Sequence, residues 1–211
     1  EIVDLSDVAK PRVVRTVSLG GDASSVTVNG NLFAVSLLNA PEWKKGHVQV
    51  MRYTDSLEVL GFFEVCHQPD MLTFTPDGSA LLVACEGSPD MNFHEDPEGG
   101  VAIVTAPKSG PWSRLEIAVA GFDGLDTASL MAQGVRRTGA QGFMKSLEPE
   151  YITVSPDSKT AWVSLQENNA IAVVDIAAKK ITNVYPLGFV DHSVPGFGLD
   201  AKKNSKVEIA N

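Results

Sequence analysis

The chain has 211 residues, a formal net charge of −9 and 44% apolar residues, a globular composition with enough apolar content for one sizeable core or two small ones. The acidic balance argues against nucleic acid and anionic membrane as partners, since phosphate binding needs clustered Lys and Arg, and it is compatible with cationic partners, metal ions included. No apolar run reaches membrane-spanning length; no signal peptide opens the chain, and Glu1 in place of Met reads as a mature or partial product.

The opening residues read as two short strands, EIVDL (1–5) and RVVRTVSLG (12–20). From residue 23 a longer pattern begins and recurs. ASSVTVNGNLFAVSLLN (23–39), PDMLTFTPDGSALLVACEG (69–87) and PEYITVSPDSKTAWVSLQENN (149–169) each read as strand, tight polar turn, strand. A third strand follows each: GHVQVMRY (46–53), GGVAIVTAP (99–107) and NAIAVVDI (169–176). A fourth comes next: LEVLGFFEV (57–65), SRLEIAVAG (113–121) and KITNVYPLG (180–188). The copies start at 23, 69 and 149, so the intervals are 46 and 80; an insertion over 122–146 accounts for the longer one. Within it, GLDTASLMAQGVRR is the best candidate for a short helix.

Four-stranded units at this spacing are the signature of propeller blades. A β-sandwich does not call for the same four-strand pattern three times, and a solenoid uses shorter, more uniform coils. The expected fold is therefore all-β: a β-propeller segment of about three and a half four-stranded blades, part of a larger ring. Its parts are the last two strands of a preceding blade (1–20), a blade (21–65), a second (66–121), the insertion (122–146), a third (147–188) and a connector to the next blade (189–211). Cys66 and Cys85 lack zinc-ligand spacing. Placed in strands joined by the TPDG turn, Cys66 would lie opposite a position beyond Cys85, so two free thiols are expected.

In such a meander the turns VNGN, TPDG and SPDS fall on one face of the ring. Blade entries and second-strand exits fall on the other. That second face collects Asp22, His67, Gln68, Asp70, Glu148 and Glu150 from entries, and Asn39, Glu42, Glu86, Asp90, Asp96, Glu98, Gln166, Glu167 and Asn168 from exits. Calcium takes six to eight oxygen ligands, which such strand ends can present. Glu86, Glu148, Glu150 and Glu167 are the inner-rim candidates for a metal; Asp70, Asp90 and Asp96 are secondary ones. No EF-hand spacing, G-x-S-x-G elbow or phosphate-binding glycine loop is present. Each carboxylate alone reads first as a solvated loop residue or a partner for backbone N–H groups, and only together do they point to a metal. His67, His94 and His192 read as loop surface residues, and Asp191, His192 and Asp200 as a connector or a second oxygen-rich site. Trp43, Trp112 and Trp162 read as packing between blades rather than a carbohydrate platform.

ACEGSP…DPEGGVAIV, LEPEYITVSPDSKTAWVSLQENNAIAVVDI and PLGFVDHSVPGFGLDA resemble motifs of the choice-of-anchor I family, over about residues 20 to 209. The resemblance implies YVTN-like propeller blades in a secreted or surface-anchored protein, some animal members being labelled mesenchyme-specific cell surface glycoprotein. Some bacterial relatives resemble atypical alkaline phosphatases. Two departures stand out. Ser88 replaces a carboxylate of an E-G-E-P pattern, and Lys202 and Lys203 replace acidic residues of a calcium-like string. The expected function is an extracellular or lumenal binding or structural propeller, with calcium as the candidate stabilising ion and proteins of a larger assembly or matrix as partners. The alternative is a calcium-dependent phosphoesterase, with Arg136 and Arg137 of the insertion assisting at a phosphate.

Overall fold

A computed structural model describes residues 1–41, 43–54, 56–92, 94–105, 115–138, 142–200, 205–207 and 209. Glu42, Trp112, Lys202 and Lys203 lie outside the described residues.

The strands fall into four antiparallel sheets. A hairpin of β1 (Ile2–Asp4) and β2 (Arg12–Arg15) comes first. Three four-stranded meanders follow: β3 (Asp22–Asn29) to β6 (Leu57–His67) through β4 (Leu32–Leu38) and β5 (Lys45–Tyr53); β7 (Pro69–Phe74) to β10 (Glu116–Ala120) through β8 (Ala80–Cys85) and β9 (Gly100–Thr105); and β11 (Ile152–Val154) to β14 (Lys180–Pro186) through β12 (Thr160–Leu165) and β13 (Ala170–Asp175). The chain is a β-propeller segment of three and a half blades. Between the second and third blades, α1 (Thr127–Gln133) forms where the sequence places a helix. Asp126 caps its start by accepting from the Ser129 N–H, and Gly134, at φ 103°, closes its end.

The register shows why β1–β2 is the outer half of a blade. A bulge falls between Ile2 and Val3, between Val50 and Met51, and between Val173 and Val174. Just beyond it each copy pairs opposite charges across the two strands: Asp4 with Arg12, Arg52 with Glu58, and Asp175 with Lys180. The first two pairs close at 2.9 and 3.0 Å, with the signs exchanged between strands.

Strand alternation gives a blade two apolar faces, and those between successive blades pack on each other. Ala34, Val48 and Val50 of the first blade bury against Leu72, Phe74, Leu81 and Val83 of the second. Leu82, Ala84, Val101 and Ile103 of the second bury against Ile152, Ala161, Val163 and Val174 of the third. Leu72 and Phe74 are 1% and 8% exposed, while Val26 and Val28, their register equivalents on the first blade, are 62% and 67% exposed, with no blade packed on them among the described residues. A glycine fixes each spacing. A Cβ on Gly46 would strike the Leu37 carbonyl and the Pro69 ring; one on Gly99 would strike the Leu147 carbonyl and lie 2.7 Å from Pro149 Cδ. Across the first interface, Ser24 and Ser36 donate to the carbonyls of Pro69 (2.7 Å) and Asp70 (2.8 Å).

The expectation of two free thiols is wrong. Cys66 and Cys85 form a disulfide with a Cα–Cα distance of 5.8 Å. The error lay in the strand assignment. Cys66 does not belong to the hairpin that carries Cys85; it is the next-to-last residue of β6 in the preceding blade. Gln68, in the left-handed region at φ 48°, then turns the chain into β7, where Pro69 pairs with Cys85. That turn carries Cys66 over Cys85, so the bridge links two blades rather than two strands of one.

Candidate functional site

The two ends of the blades differ in chemistry. At one end the first hairpins of successive blades meet: the Asp77 N–H donates to Ser158 Oγ at 3.1 Å, and a Cβ on Gly78 would lie 2.9 Å from Asn29 Nδ2. In the second blade Asp77 Oδ1 accepts from Thr75 Oγ1 and the Ser79 N–H. In the third, Asp157 Oδ1 accepts from Ser155 Oγ and the Lys159 N–H. These are self-contained turns.

The opposite end gathers blade entries and second-strand exits. Glu148 precedes β11 and is only 7% exposed; Glu150 is half-buried beside it. Glu86 follows β8 and Glu167 follows β12, both half-buried. The four carboxylates repel one another across the space between blades two and three. Burial, then the charges of Glu167 and Glu86, push the Glu148 carboxyl up to about 7. Burial, then Glu167, Glu86 and Asp70, push Glu150 up to about 7 as well. Ser88 Oγ donates to Glu86 Oε1 at 2.6 Å and reaches Glu148 Oε2 at 3.5 Å. Glu167 Oε2 is buried and accepts from no N–H or hydroxyl among the described residues, while the Glu150 carboxyl in its protonated form hydrogen-bonds to Glu167.

Of the secondary candidates, Asp70 and Asp96 belong to this rim. Burial raises both, partly opposed at Asp96 by Lys145, and their charges bear on Glu150 and Glu148 respectively. Asp90 does not belong: its Oδ1 accepts from the His94 and Glu95 N–H groups, which folds its own loop. The rim carboxylates interact without forming a closed coordination shell. Among the described residues, no three His, Cys, Asp or Glu side chains converge in metal-ligand geometry.

Two residues complete the rim that sequence reasoning did not assign a role. Ser88 is the hydroxyl between Glu86 and Glu148. Asn168 is fully buried: its Oδ1 accepts from the Glu148 N–H, and its Nδ2 donates to the carbonyls of Arg136 (2.9 Å) and Ser146 (2.5 Å). One amide therefore fastens the insertion, the turn Met144–Ser146 and the entry of the third blade to the exit of β12. The only signal was the amide's place at a strand exit in QENNA. Arg136 is committed too, its Nε donating to the Glu167 carbonyl at 2.9 Å.

A cleft of about 720 Å³ opens on the same face between the first two blades, lined by Trp43, Asp22, Gln68 and Ser88 among others. Trp43 lies outside the hydrophobic clusters, contrary to its reading as a packing residue. Trp162 projects from β12 and is 41% exposed.

Solved structures similar to this chain include hydrazine synthase of Kuenenia stuttgartiensis, at 13% identity over 72% of this chain and 39% of that one, TM-score 0.49. The periplasmic gluconolactonase of Pseudomonas aeruginosa is 15% identical over 85% and 61%, TM-score 0.43. A β-propeller domain of Myceliophteria thermophila is 12% identical over 83% and 60%, TM-score 0.36. The chain thus spans between 39% and 61% of the length of these three, and such likeness says nothing about what it binds. Among curated proteins none matches. The model of the choice-of-anchor I domain matches residues 1–211, with the blades, their entries and their exits all inside the match, and the chain belongs to that family.

Proposed function

We propose that the chain is a binding or structural propeller segment of an extracellular or surface protein, and that a calcium ion at the acidic rim offsets its charge. One observation carries the reading: Glu86, Glu148, Glu150 and Glu167 are held together by separate strand ends, and one buried oxygen of Glu167 accepts from no N–H or hydroxyl among the described residues. Packing carboxylates together costs free energy unless protons or a cation neutralise them. Calcium suits an all-oxygen donor set of carboxylates, carbonyls and water. Glu86, Glu148, Glu150 and Glu167 would hold it only by turning their side chains inward, since no three of them converge in ligand geometry here, with Asp70 and Asp96 as outer charges. The ion would supply neutralisation and would fasten the exits of β8 and β12 to the entry of β11. The disulfide between blades supports an oxidising compartment. The open apolar face carrying Val26 and Val28 supports further blades or a protein partner.

The phosphoesterase alternative has less support, because Arg136 Nε is held on the Glu167 carbonyl, which leaves only its terminal N–H groups for a phosphate. Thermal unfolding with calcium and with chelator tests the proposal. A midpoint that rises with calcium, and does so no longer in Glu148→Gln plus Glu150→Gln, supports it. A midpoint indifferent to both additives removes the ion. Calcium-dependent turnover of a phosphate ester that those two substitutions abolish would replace the binding reading with the enzymatic one.

A further inference from the structure

The cleft between the first two blades is built from four segments: the entry to β3, the loop from β4 to β5, the turn from β6 into β7, and the loop after β8. Trp43 belongs to the second. Its carbonyl accepts from His67 Nδ1 at 2.7 Å, which ties that loop to the entry of the second blade. Some polar side chains here are already used. Asn39 bonds within its own loop, to the Ala40 N–H and the Lys45 carbonyl, and Asp90 holds two N–H groups of its own loop. Others have capacity left. Gln68 Oε1 is buried without a partner among the described residues, while the exposed Asp22 and Asn92 keep their side chains towards solvent-accessible space at the cleft. An unpaired buried amide oxygen is costly, so a ligand that donates to it gains more than it would at a solvated group.

The chemistry of the walls selects the ligand class. An anion is disfavoured by Asp22 and by the carboxylates beyond Ser88. A cation stacked on the indole is disfavoured because Lys44 Nζ already lies 5.8 Å from the Trp43 ring centroid. A wholly apolar ligand would leave Gln68 Oε1 unpaired. A neutral polyol with one apolar face meets every condition: C–H groups against the indole, hydroxyl donors to the Gln68 amide oxygen and the Asp22 carboxylate, and a hydroxyl acceptor for the Asn92 amide.

We infer that this cleft binds a neutral sugar in pyranose form, with Trp43 as its platform and Gln68, Asp22 and Asn92 as its hydrogen-bonding partners. The site adjoins the acidic rim through Ser88, contains none of Glu148, Glu150 and Glu167, and needs no ion.

Methyl glycosides of glucose, galactose and mannose, together with N-acetylglucosamine, are the probes. Saturation-transfer NMR on the full chain reports binding, and tryptophan fluorescence gives the affinity. At least one probe is expected to bind, equally with calcium and with chelator. Trp43→Ala and Gln68→Leu are each expected to weaken it by about tenfold or more. Trp162→Ala serves as the control and leaves binding unchanged, and Trp43→Phe keeps an aromatic platform in case the alanine variant fails to fold. No saturation transfer from any probe overturns the inference, as does wild-type affinity in Trp43→Ala. Tetramethylammonium binding without sugar binding makes this a cation site instead. Sugar binding lost on chelation makes the ion the receptor. Failure of the calcium proposal is read separately, as a melting midpoint indifferent to chelator.

Discussion

The two ends of the blades use the same side chains to opposite effect. On the turn face, Asp77 and Asp157 are exposed, yet neighbouring N–H and hydroxyl groups donate to both. The Ser79 N–H, then Thr75 and Ser79 hydroxyls, hold Asp77 down at about 2, and Asp157 also lies below the ordinary carboxylate range. On the rim face, Glu148 and Glu150 have few donors and several like charges, and they are pushed up to about 7. Sequence position within a repeat does not separate a turn carboxylate from a site carboxylate. What separates them is whether the backbone already satisfies the charge.

The largest expected effect comes from releasing the rim side alone. The disulfide joins the end of β6 to the end of β8, one residue before Glu86, and closes a 19-residue separation. Replacing Cys66 and Cys85 together by Ala should cost about 3 kcal/mol in urea unfolding, the loop-entropy scale for a bridge of this span. A cost near zero would mean that the first two blades hold together without it. Next in size is Gly99→Ala. Its Cβ meets the Leu147 carbonyl and the Pro149 ring, both immediate neighbours of Glu148. Overpacking there should cost about 2 kcal/mol and displace the rim, visible as weaker calcium stabilisation. Gly20→Ala, where a Cβ meets nothing within 4 Å, is the matched control.

How far these regions could be read beforehand depends on the range of the interactions. The hairpins were legible because TPDG and SPDS carry their own turn chemistry, and α1 because Asp126 and Gly134 cap it locally. Rim membership of Glu86, Glu148, Glu150 and Glu167 was legible because strand order alone assigns each blade end to a face. The disulfide was not, because it depends on the left-handed turn at Gln68 between two blades. Asp90 stays on that face, at the cleft, but the donation of the His94 and Glu95 N–H groups to its Oδ1, which no sequence pattern shows, ties it to its own loop rather than to the four glutamates. The cleft was invisible for the same reason as the disulfide: Trp43, Gln68 and Asn92 come from three connections, and no single motif contains them.

The rim also predicts an unusual pH dependence. Glu148 and Glu150 have folded values raised from 4.5 to about 7, so the folded state holds more protons than the unfolded one between those limits. Their protonated forms stabilise the fold fully below about 4.5, and that contribution is lost as pH rises through about 7. In calcium-free buffer the melting midpoint should therefore fall from pH 5 to pH 8. The loss should be about 1 kcal/mol per carboxyl, less than the shift alone would give, because water reaches the rim. Glu148→Gln should flatten the profile and raise stability at pH 8. With saturating calcium the sign should reverse, since the same substitution then removes a ligand. A profile that rises with pH in both buffers would contradict the burial and repulsion at this rim.

The smallest effect belongs to the turn face and has the opposite sign. Asp77 has a folded value below its ordinary 3.8, so its contribution is present above 3.8 and is lost as pH falls towards about 2. Asp77→Asn should therefore leave stability between pH 5 and pH 8 parallel to wild type, with a modest uniform drop from weaker acceptance of the Thr75 and Ser79 donors. Its difference from wild type should shrink only in strong acid. Melting curves of Asp77→Asn and Glu148→Gln at matched pH then separate the faces: the rim variant changes the slope across neutral pH and the turn variant changes only the offset. If Asp77→Asn altered the neutral slope as well, the turn face could not be treated as electrically self-contained, and the rim carboxylates would no longer be the sole source of the pH response.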